Sequence, residues 1–194
     1  MRRIPILLSA FVFVLSGCAR VNVSPKYVPS GNLSYDNLMR EMPINLKVQD
    51  QRKEKIFIHY FFGTKIPDSG GNYGFRGWKM GISPSEATAL ALKDAMESYG
   101  YTLMSEANIV VDATLRKFLY FLKQQNPNVF TAAIELDAVV HDPNNRIFAK
   151  KFFSETIDEQ HFIFWDYDRE PGNMLELCLS NIVEKVASDI DIMR

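Results

Sequence analysis

Between residues 109 and 157 the chain carries three long apolar–polar alternations separated by two turn signals. Ile109, Val111, Ala113 and Leu115 alternate with Val110, Asp112, Thr114 and Arg116. Phe130, Ala132, Ile134, Leu136, Ala138 and Val140 share one face of the next run, with Thr131, Glu135, Asp137 and His141 on the other. A period of two turns successive side chains to opposite faces, so these runs read as half-buried strands. Asn126-Pro127-Asn128 and Asp142-Pro143-Asn144-Asn145 are turn sequences, because Asp and Asn bond their own backbone and Pro pre-sets φ. The third strand is expected over Arg146 to Ile157, which completes an antiparallel meander. Alternation fails at Lys117-Phe118 and predicts a bulge or bend there.

Such a sheet must bury its apolar face, and two helical stripes are available to cover it. Ser83-Pro84-Ser85-Glu86 combines a capping serine, a proline at the first helical position and a capping-box glutamate. Ala87, Leu90, Ala91, Ala95 and Met96 then form a stripe, and Gly100 stops it, which predicts a helix over Pro84–Tyr99. Leu175, Cys178, Leu179, Ile182, Val183, Val186 and Ile190 form a second stripe within Asn173–Ile190. Upstream, Ile44, Leu46 and Val48 alternate as a strand closed by Asp50-Gln51-Arg52, and Ile56 to Phe62 reads as another strand. Tyr101 to Leu103 is a short strand candidate, and Gly63 to Gly77 is loop-like. No repeat of solenoid period occurs. The expected fold is α+β, a mainly antiparallel sheet with two helices on one face, in the order β-β-α-β-β-β-α.

The amino terminus reads differently. Met1-Arg2-Arg3 precedes an almost wholly apolar run from Ile4 to Leu15, then Ser16, Gly17 and Cys18. This is the order of a secretory signal. Twelve residues of helix span about 18 Å, short of a hydrocarbon core of roughly 30 Å. Leu15-Ser16-Gly17-Cys18 resembles the lipobox of bacterial lipoproteins, in which the peptide is cut before the cysteine and the cysteine is acylated. The alternative is an ordinary signal peptide with a chance cysteine. The expected organisation is a signal peptide over 1–17, the acylated Cys18 with a flexible tether over 18–42, and one periplasmic domain over 43–194. The tether reading rests on Pro25, Pro29, Gly31 and a lack of period, with a mean span of roughly 27 Å as free coil; the alternative is that part of it packs on the domain.

Cleavage removes two arginines and takes the formal charge from -1 to -3. That balance argues against nucleic acid as a partner and leaves membrane affinity to the acyl chains. In lipoproteins of double-membrane bacteria, Ala19 rather than Asp after the cysteine implies outer-membrane sorting. Two cysteines exclude a disulfide scaffold, and with Cys18 acylated Cys178 reads as a small core residue, the alternative being a reactive thiol.

Lipobox, Asp50-Gln51-Arg52, Ala91-Leu92-Lys93-Asp94-Ala95-Met96 leading to Tyr99-Gly100-Tyr101, the long run Ala107–Leu122 and the pair Thr131–Val140 and Arg146–Glu155 together resemble the YajG-type family of bacterial envelope lipoproteins. The resemblance spans about residues 43–190. It implies a periplasm-facing outer-membrane lipoprotein and supplies no catalytic residues. The aromatic stretch at 161–167 and the glycine-rich stretch at 70–77 depart from it.

No catalytic or metal pattern emerges. His59, His141 and His161 are scattered, and neither H-x-x-x-H, H-E-x-x-H nor G-x-S-x-G is present. Gly70–Gly77 matches no phosphate-loop pattern. No cofactor or metal is expected. The candidate contacts are aromatic: Tyr73, Phe75 and Trp78 around the glycine-rich stretch, with Arg76, and Phe162, Phe164, Trp165 and Tyr167 in the unpatterned run. The competing readings are a mobile hairpin loop for the first group and a cover for the core's end for the second. The leading functional expectation is a non-enzymatic outer-membrane lipoprotein, a periplasm-facing binding or assembly module with an envelope protein partner. The alternatives are an auxiliary lipoprotein that binds a lipid or other apolar ligand for a transport system, and an envelope hydrolase.

Overall fold

The computed structural model describes residues 20–30, 42–59, 64–73, 76–123, 128–161 and 171–192. In chain order the elements are β1 (Arg20–Val23), β2 (Met42–Asp50), β3 (Ile56–His59), β4 (Lys65–Pro67), β5 (Gly71–Tyr73), β6 (Arg76–Met80), α1 (Pro84–Ser98), β7 (Tyr101–Leu103), β8 (Val110–Lys123), β9 (Asn128–His141), β10 (Ile147–His161) and α2 (Pro171–Ile192).

The meander forms as its alternation requires. Strands β8, β9 and β10 pair antiparallel, with Val111 opposite Val140 and Leu136 opposite Phe153. All six residues of the apolar face of β9 are buried. The register slips between Leu115 and Lys117, so Arg116 is the extra residue of a bulge where alternation fails. Asp142 closes the β9–β10 turn: its Oδ1 accepts from the backbone N–H groups of Asn144 and Arg146. Asn145 takes φ 62 there, a left-handed conformation that Asn tolerates.

Both helices lie on one face of the large sheet and against each other. Helix α2 packs on β8, β9 and β10, and α1 on β2, β7 and β8. Every stripe residue expected of α2 is buried. Ala87, Ala91 and Ala95 face inward on α1, small enough for α2 to approach closely. Ser83 Oγ accepts from Glu86 N at 3.2 Å, and Gly100 takes φ 84, which a side chain would strain.

Three features differ from the expectations. First, the large sheet is mainly antiparallel, as expected, but it also holds parallel pairs that the sequence did not announce: β2 runs parallel to both β7 and β8, and β3 runs parallel to β8. Alternation reports burial and not strand direction. Second, the glycine-rich stretch is not a bare loop. It holds β4, which pairs with β3, and the β5–β6 hairpin, with Trp78, Met80 and Ile66 buried. Third, residues 20–30, expected within a flexible tether, are laid along the domain. Strand β1 pairs parallel with β6, giving the three-stranded order β1-β6-β5. Val23 is buried, Val28 N donates to Ser180 Oγ at 2.9 Å, and Ser30 N donates to Glu184 Oε1 at 2.8 Å. A four-residue strand whose partner lies over fifty residues away leaves no local period to read.

Arg52 ties the strand ends together. Its side chain is almost wholly buried, and its Nε and Nη2 donate to Asp50 at 3.0 and 2.9 Å. Nη2 also reaches Asp68 at 2.6 Å, and Nη1 donates to the Ile56 carbonyl at 3.2 Å. Burial works to raise the Asp50 pKa, but hydrogen bonds from Arg52 and Lys55 outweigh it and hold the carboxyl at about 2. Removing one partner of such a buried set strands the others. Arg52→Ala is expected to cost about 3–5 kcal/mol in urea unfolding, whereas loss of exposed Lys93, 3.9 Å from Glu97, changes stability little. Equal small effects from both would contradict this role for Arg52.

Candidate functional site

The polar groups of the described residues mostly serve the fold. His141 sits between two acceptors, the Asp142 carbonyl at 2.7 Å from Nδ1 and Asp112 Oδ2 at 3.0 Å from Nε2. Thr131, expected on the polar face of β9, is fully buried and donates to Asp158 Oδ1 at 2.5 Å. Cys178 is buried on α2, with its Sγ 3.4 Å from the Glu155 carbonyl, and burial pushes its thiol up to about 12. It is a core residue with negligible thiolate at neutral pH.

The histidines do not converge. His59 pairs with Phe121 and, through it, lies level with Thr131 on β9. His141 is ten positions further along β9, about 33 Å at strand rise. His161 ends β10 beside Asn128, at the opposite end of the sheet from His141. Among the described residues no group of three His, Cys, Asp or Glu side chains is placed to hold a metal ion. The hydrolase expectation therefore has no convergent histidine set.

A basic-looking cleft of about 430 Å³ is lined by Arg52, Lys53, Arg116 and Lys117, with Glu54 and Glu135. Three of its four cationic side chains are already matched. Arg116 Nε donates to Asp137 at 2.7 Å, Lys117 donates to Glu135 at 3.2 Å, and Arg52 is held by Asp50 and Asp68. This cleft offers little to an anion.

The candidate site lies where β2 outruns β7. Ile44 C=O accepts from Met104 N at 2.8 Å, which ends the pairing with β7. Beyond it, Asn45 N and Gln51 N donate toward β8, to the Ile109 and Leu115 carbonyls. Main-chain groups alternate sides along a strand, so those of Leu46 and Val48 point away from β8. No strand among the described residues pairs with them there. Beside this open edge runs a groove of about 490 Å³ between β2, the end of β7 and the outer side of α1. Leu46, Val48, Leu103 and Met104 line it with Leu90, and Glu86 and Lys93 lie on α1 at its rim. Leu90 is 49% exposed and Met104 52%.

The other long edge is differently made. Strand β10 also exposes Phe148 and Phe152, but it carries Lys150, Lys151, Glu155, Asp158 and Glu159 and a register slip between Ile147 and Ala149. Charges and irregularity are how sheet edges resist pairing with another chain. The edge at Leu46 and Val48 is more regular, with one lysine, Lys47, between them and no register slip against β8.

The aromatic candidates fall unevenly on this structure. Trp78 is 2% exposed and packs in the core, so it is a structural residue and not a free contact. Tyr73 ends β5 opposite Arg76. Cys18, Phe75, Phe162, Phe164, Trp165 and Tyr167 lie outside the described residues. Residues 46, 48, 90, 103 and 104 were not expected at a site, and Leu90, expected in the buried stripe of α1, instead faces the groove because it lies off the Ala87-Ala91-Ala95 line that meets α2. Leu46 and Val48 read as ordinary apolar positions, and only the early end of β7 leaves them open.

No helix among the described residues is long and apolar enough to cross a membrane. No family model matches the chain, and no curated protein matches it. Similarity appears in solved structures. Protein XCC0632 from Xanthomonas campestris, of the DUF330 family model, superposes with a TM-score of 0.61 at 14% identity, covering 90% of this chain and 96% of that one. An uncharacterised protein gives 0.51 at 10% identity, over 90% and 99%. A minor lipoprotein from Acinetobacter baumannii gives 0.48 at 6% identity, over 77% and 92%. The first two share the fold with this chain, and membership of the YajG-type family finds no match.

His141 gives a test of the polar network. The hydrogen bond to the Asp142 carbonyl raises its pKa, Asp112 adds to this, and burial opposes it. A raised folded-state pKa stabilises fully below the unfolded value and is lost as pH rises through the folded value. The stability gap between wild type and His141→Gln is therefore expected to be larger at about pH 5.5 than at about pH 9. Equal gaps in urea midpoints at both would contradict this.

Proposed function

We propose that the chain is a lipid-anchored, non-catalytic binding module of the bacterial envelope, carried on acylated Cys18 in the outer membrane with its domain in the periplasm. Its partner is an envelope protein that supplies an extended segment to the open edge of β2. The observation that carries this reading is the coincidence of unpaired main chain at Leu46 and Val48 with an exposed apolar groove. Strand addition needs both: main-chain bonds give affinity, and apolar pockets select alternate side chains. The anchor reading rests on the signal-like amino terminus and Leu15-Ser16-Gly17-Cys18. Anchoring confines the domain near other envelope components and raises its effective concentration there.

The groove's volume and apolar lining also suit the second reading, an auxiliary that binds a lipid or other apolar ligand. An enclosed site between helices and sheet is less well supported, because Leu92, Met96, Leu136, Leu175, Leu179 and Ile182 pack there with no exposure.

Photo-crosslinking probes at Leu90 and Met104 in the native envelope separate the two. The binding-module reading expects adducts to one protein that disappear in Val48→Pro. Proline removes an N–H that the domain itself does not use, so an edge position tolerates it, and the variant is expected to unfold near the wild-type temperature. Adducts to lipid, with a bound apolar molecule in native mass spectra, would favour the second reading. Protein adducts that survive Val48→Pro would overturn strand addition.

A further inference from the structure

We propose that two copies of the chain join edge to edge through β10, antiparallel about a two-fold axis at Ser154, so that their large sheets run into one.

Strand β10 ends the order β10-β9-β8-β2-β7, and no strand among the described residues pairs with its outer side. Alternation along the strands says which of its main-chain groups are open. The Ile109 and Leu115 carbonyls face β2, so Val110 and Asp112 face β9, where they are opposite His141 and Val139. Val140 and Ala138 then face β10, where they are opposite Ala149 and Lys151. The N–H and C=O groups of Lys150, Phe152, Ser154, Thr156 and Asp158 therefore point outward.

Exposed apolar side chains gather along the same edge. Phe153 is buried under the helices, so Phe148 and Phe152 stand on the opposite face of the sheet, and both are exposed. On α2, Leu177 is also exposed. It continues, at four-residue steps, the line of Asn181, Lys185 and Asp189, whose side chains bond Glu155 and Lys151 of β10. The β10 edge is thus bordered by apolar surface on both faces of the sheet.

The charges name the occupant. Lys150 and Lys151 lie in the first half of β10, and Glu155, Asp158 and Glu159 in the second. These charges resist an arbitrary strand, but they are complementary to their own order reversed. A parallel copy sets like charge beside like, whereas an antiparallel copy sets the basic half against the acidic half. The charges not yet used select the register. Lys151 and Glu155 are already bound to Asp189 and Lys185. Lys150 makes no ion pair among the described residues, and Asp158 uses Oδ1 for Thr131. An axis at Ser154 puts Lys150 opposite Asp158 of the second copy, and symmetry does so twice. The register slip between Ile147 and Ala149 falls outside this matched run. An axis at Phe153 or Glu155 leaves Lys150 opposite Thr156 or Gln160 instead. Because β10 and β7 close opposite sides of the sheet, the dimer leaves both copies of the open β2 edge free at its two ends.

Cysteine pairing in the purified full-length protein tests this. Ser154→Cys sets two thiols directly across the axis, at a Cα separation of about 5.5 Å that a disulfide spans. Phe152→Cys and Lys150→Cys set theirs about 13 and 26 Å apart along the strands. The wild type, with Cys178 buried, gives the background. Expected under copper–phenanthroline oxidation is a disulfide dimer from Ser154→Cys, with neither other variant above the wild type. Adding Lys150→Glu to Ser154→Cys creates two like-charge pairs and is expected to lower the dimer several-fold, with an unchanged circular dichroism spectrum, whereas adding Lys150→Arg keeps it. No dimer from Ser154→Cys, or as much dimer from Phe152→Cys or Lys150→Cys, overturns the pairing. A Ser154→Cys dimer indifferent to Lys150→Glu overturns the selection by charge.

Discussion

The apolar face of β9 is the constraint on which the rest of the structure depends. It lies between β8 and β10, so its inward residues cannot reach water on either side of the strand, and only a helical layer can cover them. Helix α2 does so with its whole stripe, from Leu175 to Ile190. Burial of a Leu, Ile or Val side chain contributes about 1.5–3 kcal/mol each, and the facing residues of α2 and β9 are buried together. Once α2 is placed, α1 has a surface of alanine-lined closeness to occupy, and β2 and β7 follow it onto the sheet. The polar ties at Arg52 and His141 then lock strand ends that the apolar core has already brought together.

Much of this was legible in the residues. Period two located β8, β9 and β10, and the lapse at Lys117 marked the bulge at Arg116. The Asp142 turn and the Ser83 cap form through the local chemistry their sequences announce. These are short-range effects, decided within a few residues. What escaped is non-local. Strand β1 and the hairpin at 71–80 are short and pair with distant or glycine-rich segments, and the direction of β2 leaves no mark on its pattern. Thr131 has a polar side chain on the expected polar face, but a single partner, Asp158, lets it be buried.

The candidate site was the least legible part, because it is defined by an absence of pairing. Leu46 and Val48 have the same sequence character as residues of a closed strand. They become a site only because β7 ends at Leu103 while β2 continues to Asp50. Of the aromatic residues read as contacts, Trp78 fills the core, where its size serves packing.

The open edge of β2 is the centre of the account, and amide hydrogen exchange of the domain tests it most directly. Along β2 the account predicts an alternating pattern: slow exchange at Asn45, Lys47 and Gln49, whose N–H groups face β8, and fast exchange at Leu46 and Val48. Uniformly slow exchange through both sets would mean that the edge is already covered within the molecule, and would contradict strand addition at this site.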